Sequence, residues 1–154
     1  MQRRLVLLSP LAATGLAHAH HGWSSFDQDR PIWLEGRVTQ VRWRNPHAEL
    51  ELETPADLKL PADLASRALP AQVATVDGKS LLARAVVPTR TERRWQVELA
   101  PLTRLQAWKV DPIVTGASVG LLGFTFQGER GEAVLRAEYL FVGGRTYGLR
   151  SGPA

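Results

Sequence analysis

The chain has no cysteine. That excludes disulfides, thiolate zinc sites, iron–sulfur clusters and thiol nucleophiles. Its one methionine is Met1, so a chain shortened at its N-terminus carries no thioether ligand, and a soft Cu(I) site built on methionine is excluded with it. Beyond residue 17 no apolar run approaches the length of a membrane span, because charges recur throughout. Familiar catalytic signatures are missing: there is no G-x-S-x-G, H-E-x-x-H, P-loop or G-x-G-x-x-G. Val119-Gly120-Leu121-Leu122-Gly123-Phe124 sets strand residues around its glycines, not a phosphate-binding turn before a helix. Ser24 and Ser25 stand beside histidines, but adjacency in sequence is not a nucleophile–base geometry. No internal repeat or low-complexity tract occurs.

What is present begins with an export signal. Gln2-Arg3-Arg4 forms a positive n-region, residues 5–17 are apolar or small without charge, and Ala17-His18-Ala19 offers small residues where a signal peptidase reads. The segment is short and broken by Pro10 and Gly15, which argues against a membrane span. A cut after Ala19 makes His20 the first residue; a cut after Ala17 would leave His18-Ala19-His20 at the front. The expectation is a periplasmic or secreted protein with no transmembrane segment in its mature chain. Loss of Arg3 and Arg4 leaves 17 basic against 15 acidic side chains, so the formal charge falls from +4 to +2. That is too small for a nucleic-acid or polyanion binder on charge alone. Residues 20–154 suit one domain, with roughly two thirds of the unfolded surface available for burial.

The pattern is that of β structure. Residues 32–43 read as a long strand, with Trp33, Glu35, Arg37, Thr39, Val41 and Trp43 on one face. Gly36 inside it marks a bend or bulge. Arg44-Asn45-Pro46 is a turn, and residues 47–53 alternate strictly, so the two runs form a hairpin. Residues 54–92 change character: Pro55, Pro61 and Pro70 punctuate them, residues 62–69 fit a short helix, and residues 72–76 and 80–87 fit a second hairpin about Asp77-Gly78. Strand patterns return at residues 93–100, 118–127 and 133–142, with a helix over 101–109. Setting 54–92 aside, the order is that of an OB-fold. We therefore expect an all-β, OB-like five-stranded barrel with a short helix between strands 3 and 4 and an insertion between strands 2 and 3. Its parts would be a signal peptide at 1–19, an arm at 20–31, the barrel domain at 32–145 and a flexible tail at 146–154.

The sequence His20-His21-Gly22-Trp23, then Phe26-Asp27, Pro31, Leu34-Glu35-Gly36-Arg37-Val38 and Trp43-Arg44-Asn45-Pro46-His47, resembles a family of small exported bacterial proteins known only as a domain of unknown function. Members typically start, after the signal, with His-His and carry a later Trp-x-Asn-Pro-His. The resemblance is specific over residues 17–53 and continues weakly through Trp95-Gln96-Val97-Glu98-Leu99 and the last two strands. This chain departs in its material between Thr54 and Glu92. It also has Val110-Asp111-Pro112 to Gly116 where a Lys-Pro-Gly-Asp step is usual. The resemblance implies export and a compact β fold, and brings no activity with it.

The candidate site is built on histidine. His20, once N-terminal, can chelate through its amine and its ring Nδ1 together; the amine titrates near pH ~8, so a metal displaces its proton at modest cost. One more imidazole gives a nitrogen-rich, roughly planar set that suits Cu(II), and Zn(II) less well. If the arm folds back over the first hairpin, His47 or His21 is that ligand, an arrangement like the histidine brace of exported copper proteins. Asp27 and Asp29 could serve as outer acceptors. Against this stands a solvated N-terminus and a His47 that merely starts a strand. Trp33 and Trp43 could line a ligand-binding face or fill a barrel core; Trp23 could shield a metal, grip a partner or pin the arm. The leading expectation is a non-enzymatic copper-handling protein. The alternatives are a metal-free module binding an envelope protein or small ligand on its strand face, and a copper oxygenase.

Overall fold

The computed structural model describes residues 22–154. Strand β1 spans Ile32–Arg42, β2 Glu49–Glu53, β3 Arg94–Glu98, β4 Ser118–Phe124, β5 Val134–Val142 and β6 Arg145–Gly148; the helices are α1, Gly78–Arg84, and α2, Leu102–Ala107. β1 pairs antiparallel with β2 and with β4, β2 with β3, and β4 with β5. A parallel pairing of Gln96–Glu98 with Val134–Arg136 closes the ring. The result is a closed five-stranded mixed barrel, running β1-β2-β3-β5-β4 and back to β1, with α2 between its third and fourth strands. This is the expected OB-like barrel. No helix among the described residues is long and apolar enough to cross a membrane.

The apolar residues divide into two cores. Ile32, Leu34, Val38, Leu50, Leu52, Trp95, Val97, Leu121 and Leu135 fill the barrel. Trp33, Leu122, Phe124 and Tyr139 point outward from the same strands and are covered by Phe26 of the arm and by Leu64, Leu81 and Leu82 of the 54–92 insertion. Consecutive apolar residues such as Ile32-Trp33-Leu34 and Leu121-Leu122 are the sequence trace of strands buried on both faces. Trp33 and Trp43 do not share a face. A bulge between Val38 and Gln40 inserts a residue against β2, so beyond it the alternation is reversed and Trp43 packs toward the barrel core while Trp33 sits in the outer one.

Two further elements differ from the sequence reading. The second hairpin about Asp77-Gly78 is instead α1, because Asp77 acts as an N-cap, its carboxylate accepting the Ser80 N–H at 3.1 Å. Leu81, Leu82 and Ala85 then face the outer core at helical spacing. Gly143-Gly144 turns the chain into a sixth strand, β6, paired to β5, in place of an end to ordered structure at 145. The residues after it are held as well: Val73 N–H donates to Gly152 O at 3.0 Å, Ser151 N–H to Gln72 Oε1 at 3.1 Å, and Trp108 Nε1–H to Ser151 O at 2.8 Å.

The far end of the insertion is fastened by Glu129, a buried residue in the β4–β5 connection at φ 54°. Its carboxylate accepts the N–H groups of Thr89 and Arg90 at 3.0 and 3.1 Å and pairs with Arg30. Burial pushes its pKa up, but the Thr89 N–H, the Arg30 side chain and the Arg90 N–H together hold it below the ordinary carboxylate value. Glu129→Gln is expected to cost about 2 kcal/mol at neutral pH, as loss of charged hydrogen bonds does. A folded pKa below the unfolded one gives stability that is complete above the unfolded pKa and is lost as pH falls through the folded pKa. The gap between wild type and variant in urea melts should therefore shrink below about pH 4; a gap constant with pH would contradict this role.

Candidate functional site

Four strands carry one transverse row of charges on the barrel's outer surface. Register places Arg42 of β1 opposite Glu49 of β2, Glu49 opposite Glu98 of β3, and Glu98 beside Arg136 of β5. Like charges directly opposite repel, and each carboxylate is balanced from its other side: Arg42 pairs with Glu49, and Arg136 Nη1–H donates to Glu98 Oε2 at 3.2 Å. Glu49, Glu98 and Arg136 are all buried, at 7, 2 and 7 % exposure. Unpaired, such groups would cost several kcal/mol each.

His47 joins this row at the Glu49 end. It stands just before β2, where Ala48 exchanges backbone hydrogen bonds with Ala100 and Leu99 at 3.0 and 2.9 Å. The turn leading to it is tied to the start of α2, whose Leu102 N–H donates to Asn45 Oδ1 at 3.3 Å. The imidazole is 8 % exposed, and its Nδ1 lies 3.8 Å from Glu49 Oε1.

Trp23 marks the opposite end. Arg136 Cζ lies 4.9 Å and Arg150 Cζ 3.7 Å from its ring, and the edge of Phe124 meets it at 6.4 Å. Arg150 is held by Glu138 at 2.6 Å and by Gln28 Oε1 at 3.0 Å, while Gln28 Nε2–H donates to Trp23 O at 3.2 Å. Arg104 donates to Leu149 O at 2.8 Å close by. Burial raises the Glu138 pKa against the pull of Arg150. Burial, then Arg136 and Arg150, lowers that of Arg104. The arm is thus clamped to the barrel at residue 23.

Of the residues singled out from sequence, His20 and His21 lie outside the described residues. His47 and Trp23 are brought to one row. Trp33 is fully buried at the centre of the outer core, with Arg67 5.3 Å over its ring and Phe141 edge-on at 5.3 Å. Trp43 is half-buried against the barrel core. The three tryptophans therefore form no common surface. Asp27 caps its own turn, accepting Asp29 N–H at 3.2 Å. Among the described residues, no group of three or more histidine or carboxylate side chains could hold a metal ion. Glu98, Arg136, Glu138 and Arg150 were not singled out from the sequence. Their one trace is charge inside otherwise apolar strands, as in Leu135-Arg136-Ala137-Glu138-Tyr139.

The architecture defines a closed OB-like barrel whose outer row of buried charges joins an anchored N-terminal arm to a hairpin histidine. Residues 9–59 match the model of a family described as a family of unknown function (DUF6152), to which the chain is similar over that stretch. A search of curated proteins finds no match. The matched residues include both ends of the row, Trp23 and His47.

Proposed function

We propose that this protein is exported, is cleaved before His20, and binds Cu(II) in the periplasm through the His20 amine and imidazole together with His47, with His21 as the further imidazole, in the service of metal handling. Zn(II) fits the same donors less well. The observation that carries the reading is the clamp on Trp23. It anchors the arm three residues from His20, on the row that ends at His47. The outer face of β2 and β3, which OB-folds use for oligonucleotides, carries Glu49, Glu51, Glu53 and Glu98 here beside Arg94, with Glu49, Glu53 and Glu98 paired to Arg42, Arg93 and Arg136, so it offers no basic stripe to a phosphate backbone.

The test is native mass spectrometry of untagged protein exported through its own signal and briefly exposed to Cu(II). We expect a chain beginning at His20 that retains one copper. His47→Ala should weaken binding by more than about 100-fold, beyond what loss of a supporting hydrogen bond costs. A chain beginning at His20 that holds no copper would remove this reading. It would leave the metal-free alternative, an envelope module binding through the barrel's outer strands.

A further inference from the structure

Glu49 does not touch His47 by accident of exposure. Its Oε2 is engaged twice, by Arg42 and by Gln96 Nε2–H at 3.4 Å. That fixes the rotation of the carboxylate and leaves Oε1 directed at His47 Nδ1, 3.8 Å away. Both residues are more than nine-tenths buried, so water screens the interaction poorly.

We infer that Glu49 is a positioning residue that keeps the proton of neutral His47 on Nδ1 and so presents Nε2 as the metal-binding atom. An ionised carboxylate only accepts hydrogen bonds. A bare Nδ1 lone pair facing Oε1 sets acceptor against acceptor, whereas an N–H there is attracted and can close to a hydrogen bond when a metal draws on the other nitrogen. A carboxylate behind a ligating histidine also raises the basicity of that ligand and fixes the plane of its ring. Arg42 and Gln96 complete the device by holding the carboxylate oriented. The metal-binding half of this inference rests on the copper reading above; the tautomer half does not.

The test begins on metal-free wild-type protein at about pH 8, where an imidazole is neutral. Long-range 1H–15N spectra should show His47 protonated on Nδ1. In Glu49→Gln the population should move toward Nε2–H, the form a neutral imidazole favours in water, and Cu(II) affinity should fall 10–100-fold. Glu51→Gln, one position along the same face, should change neither. An Nε2–H tautomer in the wild type would overturn the inference without any substitution. So would a Glu49→Gln protein with tautomer and copper affinity both unchanged. A wild type with the stated tautomer that takes up no copper would overturn the copper reading and uphold the tautomer assignment.

Discussion

Trp33→Ala is expected to lower the free energy of unfolding by about 4 kcal/mol, a large share of the 5–15 kcal/mol typical of a whole domain. Trp33 is the largest side chain in the core outside the barrel and is fully buried. Its removal opens a cavity beneath the insertion, whose Arg67 lies over the Trp33 ring and whose Leu64 shares its core. Trp33→Phe should be far milder. The indole Nε1–H is buried with no hydrogen-bond partner among the described residues, so phenylalanine deletes an unsatisfied donor along with part of the ring. Urea denaturation of the three proteins reads both effects. A cost under about 1 kcal/mol for Trp33→Ala would mean that the insertion does not pack on this ring.

Gly36→Ala and Gly123→Ala are each expected to cost about 3 kcal/mol, at the upper end for overpacking. A Cβ at Gly36 would lie 2.2 Å from Glu53 O, and one at Gly123 would lie 2.3 Å from Arg136 O. In both cases the obstacle is the backbone of the neighbouring strand, which cannot swing aside as a side chain can. In either case the neighbouring strand must move away. Gly152→Ala is the control: nothing lies within 4 Å of the added carbon, and its melting temperature should match wild type. Equal stability across all three would refute the close approach of these strands.

The barrel was legible because its evidence is local. Alternation in Glu49–Glu53 and Arg94–Glu98, a proline-led helix and glycines within strands each speak through a few neighbouring residues. Gly143-Gly144 between Val142 and Arg145 was an equally local hairpin signal, and β6 could have been read from it. Asp77-Gly78 is different in kind. The same pair closes a hairpin or caps a helix, and it is the Asp77 cap on Ser80 N–H together with the burial of Leu81 and Leu82 in the outer core that selects the helix. Thr39 carries no mark of the bulge that separates Trp33 from Trp43. The site was half legible. His47 follows a visible turn, but the row depends on pairing residues 98 and 136 across a parallel seam. No pattern within either strand announces that partnership.

That seam also governs the order in which the molecule can be assembled. β1 obtains its second neighbour only when residues 118–123 exist, and β3 only when residues 134–136 do. A nascent chain stopped before β4 would hold three strands with an open edge on each side, parted in sequence by the long insertion. Closing such distant ends makes folding slow, on the millisecond-to-second scale of high-contact-order domains. During that interval the exposed edges invite pairing with other chains. A partner that shields unfinished chains therefore has most to do before β5 emerges, and little once the ring has shut.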